Sequence, residues 1–429
     1  MDRVEWGWNR LIGRIGLTSA ALVGGVLAAV PVGILAARVL GPSGKGIFDT
    51  CRYLTLGLAP VASLGLGAAG VKFIARGQAT EGQAGFLILA ASVVSLVPSG
   101  VASLILVANG VIPTEVGFLA ALSVPAAVVA MQGSDLLRGT RRASVPSGDQ
   151  VADRILIGRS LALLALATMF GLLLRRVEVF VGAWLLAWIV AAVAVLRVGC
   201  WRSPIEPINV ETLRKLVGFG VAHHVPVTLA PAFLWAGIAG VGLLAGQSEA
   251  GLFGTAAAIV DTLLLVGVAV RIVGFPWLQA RQDGQVPTAA FVSRVVSTGT
   301  LLLSAVAAAV VPWLIPFLYG DVFLEAVSIV WWFLPGVVMV VPAVAITVYL
   351  QATDRAARAA WAWFGTVVAY LLWIWLTGAM GGWLVAAGFS LAQVPLLCGL
   401  LAMLQASERR SSWLVVKRSD LGYLRRAFQ

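Results

Sequence analysis

Residues 41–51 read GPSGKGIFDTC, and residues 246–256 read GQSEAGLFGTA. At a constant offset of 205, Gly41/Gly246, Ser43/Ser248, Gly46/Gly251, Phe48/Phe253 and Thr50/Thr255 are identical, and Ala75-Arg76 matches Ala280-Arg281 in the same phase. A looser pair, residues 137–143 (LRGTRRA) and 350–356 (LQATDRA), follows at an offset of 213. Each copy of the first motif lies between two long apolar runs and so links the first and second helices of a half-chain. Six apolar runs separate the copies, which gives both halves the same orientation. This is a parallel repeat about an axis along the membrane normal, a plan that places two bundles face to face across a cleft.

Working outward, Gly, Pro and charged residues divide the chain into apolar runs at 17–40, 47–75, 84–108, 116–138, 154–174 and 179–197, then 216–245, 251–280, 288–318, 325–351, 359–378 and 381–405. Spanning a bilayer takes roughly 20 apolar residues, so each run is a membrane helix. Composition agrees. The 429 residues are 60% hydrophobic and 11% charged, with a mean hydropathy of +0.96, far from the balance of a soluble domain. We expect an all-α polytopic membrane protein of about twelve transmembrane helices in two pseudo-symmetric six-helix bundles around a central cleft. The expected divisions are an amphipathic interfacial helix (1–16), an N-terminal bundle (17–200), a cytoplasmic linker (201–215), a C-terminal bundle (216–405) and a basic tail (406–429).

The formal charge of +11 reflects topology rather than nucleic-acid binding. With the N-terminus placed in the cytoplasm, 24 Lys and Arg residues fall on the inner side and only Lys45, Arg175 and Arg176 on the outer, as the positive-inside rule requires. Both termini are then cytoplasmic. In residues 1–16, Val4, Trp8, Leu11, Ile12 and Ile15 share one face and Arg3, Arg10 and Arg14 another, a pattern that lies on anionic lipid. The tail, with Lys417, Arg418, Arg425 and Arg426, reads the same way. Cys51, Cys200 and Cys398 are far apart and the chain has two histidines, so neither a metal site nor a cofactor is expected.

Several segments resemble one family. Residues 37–48 (ARVLGPSGKGIF), Ser63-Leu64-Gly65-Leu66-Gly67 and Phe73-Ile74-Ala75-Arg76 are similar to the opening motifs of Wzx-type polysaccharide flippases. In the second half, residues 316–323 (PFLYGDVF), Leu334-Pro335-Gly336 and residues 350–355 (LQATDR) follow in the matching order. The resemblance implies the multidrug/oligosaccharidyl-lipid/polysaccharide exporter superfamily, which also holds the lipid II flippase and multidrug antiporters. It further implies an undecaprenyl-pyrophosphate-linked oligosaccharide as substrate, moved to the outer leaflet of a bacterial cell membrane by alternating access, with polysaccharide polymerase machinery as a partner. One departure is visible. Many relatives carry an acidic residue in the seventh helix, whereas residues 233–238 (FLWAGI) have none.

Moving a diphosphate through a low-dielectric core calls for cations, and Arg suits phosphate through its planar fork and permanent charge. Charged groups within spans are costly and therefore functional candidates. Arg52 in the second helix and Arg271 in the eighth stand on corresponding helices, an arrangement in which a diphosphate bridges the bundles. Arg38 stands at the end of the first helix, as a substrate ligand or a partner of Asp49. His223 and His224 begin the seventh helix, as phosphate ligands or proton-sensitive groups. Asp261 in the eighth helix is a candidate ion-coupling site, its counter-charge expected from another helix. No catalytic or metal residue is expected. Rival readings are a cation-coupled multidrug exporter on the same fold, a membrane glycan polymerase or ligase, and a non-transporting scaffold.

Overall fold

The structure, a computed structural model, describes residues 8–140, 148–198, 206–280, 285–353, 355–405, 408 and 413–415. The side chains of 8–29, 68, 75, 138–140, 148–150, 222–231, 269, 271–280 and 285–288 lie outside that description. So, in turn, do the polar and apolar faces expected for 1–16, the cluster Arg138, Arg141 and Arg142, and nearly all of the basic tail.

Helix dominates, as expected for a chain that must satisfy its backbone within each segment in lipid. The helices are α1 (Trp8–Ser63), α2 (Leu66–Ala75), α3 (Glu81–Val94), α4 (Leu96–Ala108), α5 (Thr114–Thr140), α6 (Gly148–Leu174) and α7 (Val177–Val198). The second half adds α8 (Val210–Leu244), α9 (Gln247–Ala280), α10 (Gln285–Tyr319), α11 (Ala326–Ala352), α12 (Ala356–Thr377) and α13 (Gly382–Ala402). Among the described residues, nine spans meet the length and hydropathy of a membrane crossing, α3 and α4 counting as one. The other three expected spans fall in the two halves of α1 and in α8, whose described apolar stretch is Ala232–Leu244.

The first and second expected helices both lie within α1 and meet at a kink, where Gly41 (φ 68, ψ −175) is non-helical. That backbone geometry is open to glycine and closed to residues with a Cβ. Residues 42–46, read from sequence as a turn, are therefore helical and carry Lys45 into the packed interior. The second expected span is broken near its far end, where Leu64 (φ 48) and Gly65 (φ 69) separate α1 from α2. Between Gly41 and Leu64 the chain rises about 34 Å at the helical 1.5 Å per residue, so the two breaks mark opposite ends of the bundle. Thr80 then starts α3 with a reciprocal capping box to Gln83, and Asn209 caps α8 through Thr212 N.

Among the described residues two large apolar cores form, with smaller clusters around Phe73 and Ile88. The N-terminal core gathers Phe48, Phe180, Trp184 and Trp188 from α1 and α7. The C-terminal core is an aromatic lattice in which Phe233 lies 5.4 Å from Tyr370 and Phe333 lies 5.1 Å from Phe253 and 5.3 Å from Phe389, ring centre to ring centre. Leu56 and Trp235 touch both cores. Leu173, Trp375 and Phe317 are among the large apolar side chains left outside, where lipid is their natural solvent.

The repeat motifs pack against each other. A Cβ on Gly46 would overlap the carbonyl oxygen of Gln247, and one on Gly251 would overlap that of Pro42. Under the 205-residue offset Pro42 corresponds to Gln247 and Gly46 to Gly251, so the contact is reciprocal, as a two-fold axis demands. Close backbone approach of this kind is how small residues join membrane helices. Near the Leu64 end a second seam joins the halves. Gly220 of α8 sits against the Leu64 carbonyl, the Lys72 ammonium lies 3.7 Å from the centre of the Phe219 ring, and Thr80 Oγ1 donates to Glu206 Oε2 at 2.9 Å.

Candidate functional site

The second half of α1 places Lys45, Asp49 and Arg52 at helical spacing on one face, and α9 brings Asp261 against it. Lys45 and Asp49 are completely buried. Lys45 Nζ donates to Asp49 Oδ2. Arg52 stands between two carboxylates, with Nη1 3.9 Å from Asp49 Oδ1 and Nη2 3.8 Å from Asp261 Oδ2. Tyr53 Oη donates to Asp261 Oδ2 at 2.7 Å. Buried ions persist when they are paired and hydrogen-bonded, and here two cations meet two carboxylates. Asp49 also points across the pseudo-axis, its carboxylate against Cα of Gly254, the residue equivalent to Asp49 in the second half. A Cβ on Gly254 would overlap the Asp49 carboxylate, so the acid in one copy of the repeat faces a glycine in the other.

The members of this cluster are unequally held. The Tyr53–Asp261 bond has full hydrogen-bond geometry, whereas both Arg52 contacts are beyond that range and are electrostatic only. Asp49 Oδ1 accepts no hydrogen bond. The side chains of Arg52 and Asp261 keep 19% and 32% of their surface accessible, unlike Lys45 and Asp49. Arg52 is thus a partly open cation joined to the opposite bundle through one loosely held carboxylate, and a polyanion is the kind of ligand that replaces such a partner.

A second tie crosses at the same end. Arg38 of α1 donates from Nε to Leu318 O at 2.7 Å and from Nη2 to Phe317 O at 2.6 Å. These are terminal carbonyls of α10, where a cation offsets the helix dipole. Arg38 therefore binds the C-terminal bundle rather than Asp49. Close to the bundle interface, Trp235 of α8 packs on Gly57 and its buried Nε1–H has no acceptor, a donor in the stretch where the expected acid is missing.

The other sequence candidates stand as follows. Asp261 draws its counter-charge from α1, as its isolation on α9 required. Arg271 lies in α9 and His223 and His224 in α8, but their side chains are among those outside the description. Among the described residues no three His, Cys, Asp or Glu stand together as a metal-binding group. Sequence reasoning passed over Lys45, Asp49 and Tyr53 in this cluster, and also Arg159. Counted from sequence as a cation of the inner side, Arg159 stands eight residues inside the span Val151–Leu174.

A last charged cluster fixes the chain after α13. Glu408 accepts from Arg355 Nη2 at 2.7 Å and Nη1 at 3.0 Å, from Tyr349 Oη at 2.7 Å and from Gln405 N at 2.6 Å. Burial pushes the Glu408 carboxyl up, but the bonds from Arg355, Tyr349 and Gln405 outweigh it and hold it at about 2. Trp413 closes the strap, its ring centre 5.2 Å from that of Tyr349.

No family model matches the chain, and no curated protein matches its sequence. Solved structures do match its fold. The inward closed conformation of the lipid II flippase MurJ superposes with a TM-score of 0.66 at 13% identity, covering 96% of this chain and 91% of that one. An inward-facing multidrug resistance transporter of the MATE family and MOP superfamily gives 0.65 at 13% identity, covering 88% and 93%. A MOP superfamily transporter from Pyrococcus furiosus, described as having a binding pocket of reverse polarity, gives 0.62 at 13% identity, covering 92% and 95%. At these identities the likeness establishes the fold: this chain is built as those transporters are.

Proposed function

We propose that the protein is a flippase that carries a polyprenyl-pyrophosphate-linked oligosaccharide from the inner to the outer leaflet of a bacterial cell membrane by alternating access. The observation that carries this reading is the Arg52–Asp261 pair, a partly accessible Arg held to the opposite bundle across 3.8 Å. A diphosphate offers that guanidinium stronger, bidentate bonds than the distant carboxylate does, and its arrival frees one of the contacts that join the bundles. Arg271, ten residues and about 15 Å of helix from Asp261 along α9, is a second cation on the substrate's path. The motif resemblance and the fold shared with a lipid II flippase support a lipid-linked cargo.

The remaining organisation follows from the charge distribution. Both termini are cytoplasmic, so the Gly41 end faces outward and the Gly46–Gly251 seam with the Arg38 tie closes that side. The divisions are the interfacial helix 1–16, bundles 17–200 and 216–405, the linker 201–215 and the tail 406–429. The basic end segments rest on anionic lipid, and the delivered glycan passes to polymerase machinery.

One observation favours a second reading. Asp261 is the more accessible member of its pair and is hydrogen-bonded by Tyr53, an arrangement suited to an organic cation or a coupling ion in a multidrug exporter. Proteoliposomes separate the two. The flippase reading expects protein-dependent translocation of a fluorescent undecaprenyl-pyrophosphate oligosaccharide, read with an impermeant quencher. Ion-driven efflux of an organic cation with no lipid translocation overturns it.

A further inference from the structure

We propose that the groove between α6 and α7 binds a phosphate-headed membrane lipid, with Arg159 and Arg154 on the phosphate and the apolar walls on the chain. The groove has a volume of about 390 Å³ and is walled by Ile155 and Gly158 from α6 and by Val190, Ala191 and Ala194 from α7. The small residues make the space. A Cβ added at Gly158 would meet nothing within 4 Å.

Arg159 is the unusual member. It stands eight residues, about 12 Å of helix, inside its span. Its guanidinium carbon lies 4.2 Å from the centre of the Trp188 ring and 5.5 Å from that of Trp184. Stacking of this kind fixes the guanidinium plane and leaves its edge donors directed outward. Among the described residues the only acceptor within reach is Ser160 Oγ, 3.3 Å from Nη2, and the buried Nε–H has no partner there. No carboxylate pairs with Arg159 or Arg154 among the described residues. An Arg within a span that has neither a carboxylate nor a full set of acceptors is expensive, and a phosphate supplies both charge and acceptors.

The walls choose the source of that phosphate. Ile, Val and Ala offer no polar group to a free ion, and Val190 is half exposed beside the exposed Leu186, Ile189 and Val193 of the same helix. A lipid places its phosphate at the arginines and its chain along these walls. The inference concerns the outer groove of the N-terminal bundle, although Arg159 also lies within electrostatic reach of Arg52.

The test is native mass spectrometry of the full-length protein titrated in detergent with dioleoyl phosphatidate, dioleoylglycerol and inorganic phosphate. We expect one phosphatidate bound at least tenfold more tightly than dioleoylglycerol, and little retention of inorganic phosphate. Arg159→Gln and Gly158→Leu should each weaken phosphatidate binding about tenfold, with Arg159→Lys in between. Gly158 is exposed with open space around it, so its variant keeps the test decisive should Arg159→Gln fail to assemble. Unchanged phosphatidate binding in Gly158→Leu overturns the proposal. So does equal affinity for dioleoylglycerol, which leaves an apolar groove only, or equal retention of inorganic phosphate, which leaves a free-anion site.

Discussion

Gly46 and Gly251 solve one packing problem from opposite bundles. Each lacks the atom that would strike the other half's backbone, at the Gln247 carbonyl in one case and the Pro42 carbonyl in the other. Because both obstacles are backbone, neither can be relieved by a rotamer change. Gly46→Ala and Gly251→Ala should each lower the detergent melting temperature by an amount equivalent to about 1–3 kcal/mol, the usual cost of overpacking. Gly299→Ala is the control. Its Cβ meets nothing within 4 Å, and alanine is the better helix former, so its melting temperature should be unchanged or slightly higher.

The buried Lys45–Asp49 pair yields a different pattern. Asp49→Asn leaves an ammonium with no charge partner in the interior and should cost about 3–5 kcal/mol, whereas an apolar replacement of both residues should be much milder. A double-mutant cycle with Lys45→Met and Asp49→Leu, read by thermal unfolding, measures the coupling. Additive effects would show that the two do not act as a pair.

Arg38 ties the end of α10 to α1 from an exposed position, so its contribution to global stability should be under about 1 kcal/mol. Its effect is local. Arg38→Ala should accelerate hydrogen exchange across residues 316–324, with Arg38→Lys restoring protection only in part, since Lys lacks the fork that reaches two carbonyls.

The Glu408 strap has a pH signature with a definite sign. Its carboxyl is held at about 2 in the folded protein, below the roughly 4.3 of a free Glu. The stabilisation is therefore fully present above about pH 4.3 and is lost as pH falls toward 2. A dye on Val415→Cys should report a docked strap from pH 7 to pH 5 and release only in strong acid. Glu408→Gln should release it at pH 7.

Much of this was legible in the sequence because hydropathy and repeat phase are simple signals. The 205-residue offset identified the repeat, and the cost of charge in lipid singled out Arg52 and Asp261. Lys45 was hidden because GPSGKG reads as a turn, while the structure confines the break to a kink at Gly41 and starts the second helix directly after it. Asp49 was read only as a candidate partner for Arg38, which the structure instead turns to the end of α10. Tyr53 carries no charge and gives no signal until α9 is placed beside it. Arg159 was taken for a cytoplasmic charge, since its partners are the faces of Trp184 and Trp188 on another helix, which spacing does not reveal. Asp49 and Gly254 hold a retrospective clue, for a repeat that replaces an acid with glycine implies that the two positions meet.

The central claim is that a diphosphate takes Arg52 from Asp261, and quenching-based flipping of a fluorescent undecaprenyl-pyrophosphate oligosaccharide tests it most directly. Wild type, Arg52→Ala and Asp261→Asn would be compared in matched proteoliposomes. The account predicts that Arg52→Ala lowers translocation at least tenfold, while Asp261→Asn, which frees Arg52 without removing it, retains lipid binding and tightens it. Wild-type translocation by Arg52→Ala would contradict the account.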